Sequence, residues 1–154
     1  MQITLKKALR SDGKQIHKIQ KEAFRSLLEK YKDCETNPGA ESLEKIEQRI
    51  EQNFTDFYFI KLDDRNIGGI RIIKAGQDIY RIATMFILPE FQGHGYAQQA
   101  LLQAELRYPA ARGWELDTIK QEQKLCYLYE KMGFRATGAE EDIKEGMTVI
   151  FYEK

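Results

Sequence analysis

The segment with the most informative pattern in the sequence is Phe86-Ile87-Leu88-Pro89-Glu90-Phe91-Gln92-Gly93-His94-Gly95-Tyr96-Ala97. It predicts that a buried strand ends in a glycine-containing turn and that a helix begins directly after this turn. Glycines let backbone N–H groups approach an anion, because no Cβ atom stands in the way. The helix start adds N–H donors and a partial positive charge. The segment therefore predicts a phosphate-binding loop, with a plain strand-to-helix turn as the alternative.

Two common nucleotide-binding motifs do not fit this loop. A Walker A motif would end in Gly-Lys-Ser/Thr, which is absent, and a dinucleotide-binding Gly-x-Gly-x-x-Gly would need glycine where Gln98 stands. The loop must therefore be interpreted together with the rest of the chain.

The residues on either side of the loop predict one α+β domain over 1–154 with a mixed sheet. The predicted helices each carry apolar residues at spacings of three and four and cover residues 16–31, 43–50, 97–108 and 121–132. The predicted strands cover residues 2–6, 57–60, 67–74, 79–88, 114–119, 134–137 and 147–152. Short turns make the second to fourth strands an antiparallel meander, in which Gly68-Gly69 marks a bulge. A helix precedes the fifth strand, which predicts a parallel crossover.

Composition excludes several classes of protein. The 24 basic and 24 acidic residues cancel, whereas nucleic-acid binders carry a basic excess, so nucleic acid is not an expected partner. No apolar run approaches the roughly 20 residues that span a bilayer, and Lys6, Lys7 and Arg10 interrupt any leader, so we expect a cytoplasmic protein without membrane contact. Two cysteines and two histidines, all isolated, predict neither a disulfide framework nor a metal site.

Two motifs together identify a family resemblance. Gln92, Gly95 and Ala97 occupy the fixed positions of Arg/Gln-x-x-Gly-x-Gly/Ala, and Leu128-Tyr129-Glu130-Lys131-Met132-Gly133-Phe134 matches Leu-Tyr-Glu-x-x-Gly-Phe. In this combination the chain resembles the GNAT superfamily of acyl-CoA-dependent N-acetyltransferases. The resemblance implies a central, mostly antiparallel sheet with a splayed parallel strand pair and helices on both faces.

The resemblance also implies how acetyl-CoA, as cosubstrate and without a metal, would bind. The CoA pyrophosphate would lie against the backbone of Gln92, Gly93, His94, Gly95, Tyr96 and Ala97. The pantetheine arm would lie between the fourth and fifth strands, alongside Phe86, Ile87 and Leu88. For His94, the alternative to a catalytic role is a solvent-facing side chain that offers only its backbone N–H.

Tyr129 matches the family's general acid, which protonates the departing CoA thiolate. A phenol with a pKa near ~10 stays protonated at neutral pH and can serve. The alternative is that Tyr129 packs on the apolar face of its helix with its hydroxyl hydrogen-bonded. Cys126 has no nearby histidine in the sequence to activate it, which favours an inert thiol.

Two departures from the family pattern concern individual contacts. Glu122 and Leu125 stand where many members have Asn-x-x-Ala, and a carboxylate cannot donate as the asparagine amide does. The fourth strand offers no glutamate base, which leaves Asp117 or Asp33, acting through water, as candidate bases.

The segment between residues 31 and 52 contains six acidic and three basic residues, which favours a cationic amine as acceptor. We select Tyr31, Asp33 and Glu35 as candidate acceptor contacts. The alternative is that these acids lie on a solvated helix face.

The resulting hypothesis is an enzyme that transfers an acetyl group from acetyl-CoA to a primary amine of a small molecule or peptide by direct attack. The alternative is a catalytically silent CoA-binding module with a regulatory or partner-binding role. The sequence leaves open whether the chain forms a homodimer.

Overall fold

The computed structural model describes residues 2–154 and folds them around one seven-stranded sheet. The strands are β1 Ile3–Lys7, β2 Thr55–Leu62, β3 Arg65–Gly76, β4 Ile79–Ile87, β5 Gly113–Ile119, β6 Arg135–Lys144 and β7 Met147–Glu153. Among these described residues, the α-helices are α1 Gly13–Ala23, α2 Arg25–Tyr31, α3 Leu43–Glu51, α4 Tyr96–Arg107 and α5 Gln123–Lys131.

The strand order in the sheet is β1-β2-β3-β4-β5-β7-β6. Neighbouring strands are antiparallel, except that β4 and β5 are parallel. The prediction of a mostly antiparallel sheet with one parallel pair is therefore confirmed. The parallel pair follows from the crossover through α4, which returns the chain to the same end of the sheet.

Apolar clusters cover both faces of the sheet. On one face, buried residues of α4 and α5, such as Leu101 and Tyr129, pack with Ile60 and Leu116 from the sheet. On the other face, α1 and α3 pack against a smaller cluster of aromatic residues from β2 and β4, namely Phe57, Phe59 and Phe86. Burial of apolar surface on both faces holds the sheet in place from either side.

The parallel strands β4 and β5 stay together only at their start. Their pairing consists of Ile79 with Gly113, Tyr80 with Trp114 and Arg81 with Glu115. Beyond Arg81, β4 bulges at residue 83 and continues with β3 to Ile87, while β5 continues with β7. A gap therefore opens in the middle of the sheet, and the predicted splayed pair is confirmed.

Some predicted elements have different bounds in the structure. The helix predicted over 16–31 is divided at Phe24, whose ring packs 5.7 Å from that of Phe86. The strand predicted over 134–137 extends to Lys144 as the exposed edge strand β6. Its residues 140–142 are all acidic, and because an edge strand need not alternate apolar with polar residues, the hydrophobic pattern gave no signal for them.

The bulge predicted at Gly68-Gly69 lies one residue earlier, because Ile60 pairs with Gly68 and Lys61 pairs with Asn66, which leaves Ile67 as the extra residue. The two glycines are needed for close packing of neighbouring strands and not for the bulge. A Cβ atom at Gly68 would overlap the Phe86 carbonyl oxygen, and one at Gly69 would overlap the Phe86 ring. These glycines therefore let β4 approach β3 closely at the edge of the gap.

We predict that Gly68→Ala lowers the free energy of unfolding by about 1–3 kcal/mol, because the methyl group forces backbone apart in a packed core. Urea denaturation measures the change. Gly76→Ala is the matched control on the same strand, since its Cβ atom would lie at ordinary contact, 3.8 Å from Ile79. Equal stability of the two variants would contradict the close approach.

Candidate active site

A cavity of about 490 Å³ occupies the gap between β4 and β5. Its walls come from elements on both faces of the sheet: residues 82–87 of β4, residues 116–119 of β5, the start of α4, one side of α5, and the α1–α2 region with residues 36–38. The cavity therefore passes through the sheet.

The glycine loop forms one end of this cavity. Gly93 and Gly95 both have positive φ, at 79° and 80°, and a Cβ atom on either would meet no other group within 4 Å. The Gln92 side-chain amide donates a hydrogen bond to the Ile87 carbonyl at 2.9 Å, which fixes the loop to the end of β4. Because α4 begins at Tyr96, its first turn presents N–H donors beside the cavity. The loop therefore has the features of an anion-binding site.

Seven of the nine residues predicted to bind the cofactor line the cavity, and two do not. The lining residues are Phe86, Ile87, Gln92, Gly93, Gly95, Tyr96 and Ala97. Leu88 instead packs toward the cluster under α1 and α3. His94 is exposed at the tip of the loop, with its ring 5.6 Å from that of Tyr96.

Tyr129 lies on α5 and lines the cavity, although only 7% of the residue is exposed. Its ring packs edge-on against Phe134 at 6.0 Å and beside Tyr152 at 6.5 Å. Its hydroxyl has no hydrogen bond to any residue in 2–154. Burial, and then the charge of Asp117, raise the pKa of Tyr129 above its usual value. The phenol is thus held protonated beside the cavity, with its proton available for donation.

Asp117 is the only carboxylate among the described residues that line the cavity. It forms an ion pair with Arg81, which also lies 3.7 Å from Glu115. Asp33, the other candidate base, does not line the cavity. Its carboxylate accepts hydrogen bonds from the backbone of Glu35 and Thr36, which cap a turn.

The three predicted acceptor contacts lie beside the cavity rather than in its wall. Tyr31 is buried and donates a 2.5 Å hydrogen bond to Glu122, and Glu35 is exposed. The residues that follow them, Thr36 and Asn37, reach the wall. The acidic segment therefore approaches the site through its polar turn.

Glu122, which replaces the asparagine of many family members, has a structural role here. Its carboxylate accepts hydrogen bonds from Lys30 at 2.6 Å and from Tyr31. Because Glu122 directly precedes α5, these contacts connect the start of that helix to the end of α2. The connection helps to hold the helix that carries Tyr129.

Sequence reasoning missed Thr84, Lys124 and Tyr127 as cavity residues. Lys124 supplies the one cationic side chain among the described lining residues, and Tyr127 lines the cavity although it is 67% exposed. Nothing in the local sequence distinguishes them from surface residues. They come together only because all three line the cavity between β4 and β5.

No group of three or more residues suited to hold a metal ion occurs within 2–154. In the same part of the chain, no helix has the length and apolar character that a membrane crossing requires.

Comparisons with known proteins agree with this geometry. A search of curated proteins finds no match, but a family model described as acetyltransferase (GNAT) family matches residues 15–134. Among solved structures, an acetyltransferase from Thermus thermophilus has a TM-score of 0.78 at 14% identity, covering 100% of this chain and 97% of that one.

Two further structures contain ligands. Spermidine N-acetyltransferase from Vibrio cholerae, in complex with CoA and spermine, has a TM-score of 0.78 at 21% identity, covering 99% of this chain and 95% of that one. The PaiA N-acetyltransferase from Thermoplasma acidophilum, in complex with coenzyme A, has a TM-score of 0.71 at 17% identity and covers 100% of both chains. Because the family match spans most of the sequence and includes both the glycine loop and Tyr129, the chain belongs to the GNAT acetyltransferase family.

Proposed function

We propose that this protein transfers an acetyl group from acetyl-CoA to a primary amine of a small molecule or peptide by direct attack. The observation that carries the proposal is the single cavity that joins the glycine loop, the separated edge of β4 and the buried Tyr129. Each of these features suits one part of the reaction.

The cavity suits acetyl-CoA at two places. N–H groups of the loop from Gln92 to Ala97 would bind the pyrophosphate, and Lys124 would add a positive charge at the cavity wall. After Arg81, the edge of β4 that faces β5 has no strand partner, so its backbone groups can bond the amides of the pantetheine arm. Phe86 and Ile87 would lie alongside the arm, and Leu88 and His94 would contribute through backbone at the ends of the loop.

The chemistry needs three proton movements: the acceptor ammonium loses one proton before attack, the departing CoA sulfur gains one, and the nitrogen loses a second as the amide forms, which restores the proton that the acid gives up. The acceptor nitrogen attacks the thioester carbonyl carbon, and the new C–N bond forms as the carbon–sulfur bond breaks. Tyr129 would donate its proton to the departing CoA sulfur, and its raised pKa keeps that proton in place. Before any of this, an alkylammonium acceptor with a pKa near ~10 must lose a proton so that its nitrogen can attack.

Asp117 is the group that we assign to receive the acceptor's proton, directly or through one water. It lies in the cavity wall and close enough to influence the pKa of Tyr129. Its ion pair with Arg81 would hold the carboxylate in place. Tyr31, Asp33 and Glu35 would act from outside the wall by positioning the turn at Thr36 and Asn37.

The structural neighbours support an amine acceptor, because the Vibrio cholerae enzyme was crystallised with spermine as well as CoA. We also propose the cytoplasm as the place of action. A homodimer is the assembly to be tested.

An assay of thiol release from acetyl-CoA over a panel of polyamines, amino acids and short peptides tests the proposal. We expect release with at least one class of amine, together with mass-spectrometric detection of the N-acetyl product. Tight CoA binding without release for any amine would instead favour the catalytically silent CoA-binding module.

We predict that Gly95→Asp abolishes CoA binding, because the carboxylate would stand in the anion-binding loop and the residue's φ of 80° would be strained. Isothermal titration calorimetry with CoA measures the loss. Gly138→Asp is the matched control, with a φ of 94° and equally open surroundings on the distant strand β6. Retained affinity in Gly95→Asp, or equal loss in both variants, would count against the loop as the pyrophosphate site.

We predict that Tyr129→Phe lowers kcat by about 100-fold or more, the usual contribution of a general acid. The CoA dissociation constant should change little, since the ring is kept. Tyr80→Phe serves as the control, because Tyr80 lies outside the cavity and packs on Tyr108 and Trp114. Unchanged turnover in Tyr129→Phe would remove its role as the acid.

We predict that Asp117→Asn lowers kcat/KM about 10- to 100-fold at pH 7, where the amine is protonated and needs a base. The difference from wild type should shrink toward pH 10, as free amine accumulates while Tyr129 still holds its proton. Glu115→Gln is the control, since Glu115 also faces Arg81 but does not line the cavity. A deficit that stays constant with pH would exclude Asp117 as the base.

A further inference from the structure

A buried arginine without a partner lies beside the cavity. Arg71, in the middle of β3, is only 7% exposed, yet its guanidinium makes no hydrogen bond or ion pair with any residue in 2–154. Its Nε atom is enclosed and has no partner. A guanidinium carries five N–H donors in a fixed planar arrangement. Buried charges are ordinarily paired, and no described residue supplies the partner for this one.

The charges around Arg71 do not supply that partner. Arg49 and Arg81 are both near enough to disfavour its charge, and Glu41 is the one acid near enough to favour it. Glu41, however, already accepts hydrogen bonds from Gln20 at 2.8 Å and pairs with Arg49 at 3.0 Å. Burial is the main reason that the pKa of Arg71 is lowered to about 10, so the side chain is still charged at neutral pH.

The position of Arg71 relates it to the acceptor side of the cavity. It pairs in register with Thr84 of β4, and directly opposite residues of an antiparallel pair lie on the same face of the sheet. Thr84 lines the cavity, and Phe57, the register partner of Arg71 on β2, belongs to the cluster under α1 and α3. Arg71 does not itself line the cavity; it lies one strand away, next to the lining residue Thr84, on the face where α1, α2 and the turn at Asn37 form the wall.

We propose that Arg71 binds a carboxylate of the acceptor, so that the substrate is an amine that also carries a carboxylate, as free amino acids do. This inference rests on the proposed acetyl transfer and specifies its substrate class. A planar guanidinium recognises a carboxylate through two parallel hydrogen bonds, which matches one enclosed arginine with free donors. Arg81, which pairs with Asp117, lies near Arg71, so Asp117 would meet the ammonium end of the same molecule.

The wild-type protein tests this first, with each amino acid compared with its own amide as acceptor. The amide has a less basic amine, which loses its proton more easily, so a preference for the acid cannot arise from amine basicity. We expect kcat/KM to be at least about 10-fold higher for the acids, as expected for a charged hydrogen bond. Amides that react as well as the acids would overturn the carboxylate site while leaving acetyl transfer intact. If neither the acids nor the amides nor any other amine gives thiol release, the proposed function itself is overturned.

Variants then assign the preference to Arg71. We expect Arg71→Met to raise KM for the acids about 10- to 100-fold and to leave KM for the amides and the affinity for CoA unchanged. Arg71→Lys, which keeps the charge without the planar pair of donors, should give an intermediate KM. Arg135→Met, on the exposed edge strand β6, is the control. An equal rise in KM for acids and amides would assign Arg71 a structural role and overturn the proposal. If Arg71→Met does not fold, the KM values of Arg71→Lys and the comparison of acids with amides in the wild type decide the question.

Discussion

The early separation of β4 from β5 is the constraint on which the rest of the structure depends. Parallel neighbours in a sheet normally pair along their whole length, but these two strands share three residue pairs and then part after Arg81. Separation exposes backbone N–H and C=O groups in the middle of a sheet, where such groups ordinarily find partners. The unpaired backbone groups along the gap can therefore form hydrogen bonds with another chain-like molecule, such as one that carries amides.

The separated strands are stable because each keeps its other neighbour. β4 remains bonded to β3 as far as Ile87, and β5 remains bonded to β7 through Ile119. Phe86 adds a second support, since its ring packs against Phe24 and Phe57 on one side of the sheet and closely over Gly69. The bulge in β4 then turns alternate side chains so that Thr84 and Phe86 face the α1 side. Packing of both faces thus holds a gap open that hydrogen bonding alone would close.

The sequence predicts those parts of the protein in which local pattern and function coincide. Gln92, Gly95 and Tyr129 could be placed together from the sequence because they stand at the fixed positions of two family motifs, and the structure brings all three to one cavity. Arg71 could not be found, because an arginine in a strand usually reaches solvent, and only the burial of β3 under α1 and α3 leaves it without a partner. For Glu122 the sequence indicates only that a carboxylate cannot donate as the asparagine amide does, and the tertiary structure adds that it connects two helices.

A crystal structure with bound CoA tests the central claim most directly. The account predicts that the pantetheine arm lies between β4 and β5 and bonds to the backbone of β4 beyond Arg81. It also predicts that the pyrophosphate lies about 2.7–3.2 Å from backbone nitrogens between Gln92 and Ala97. Density for CoA elsewhere on the protein, or a gap closed by further β4–β5 pairing, would contradict it.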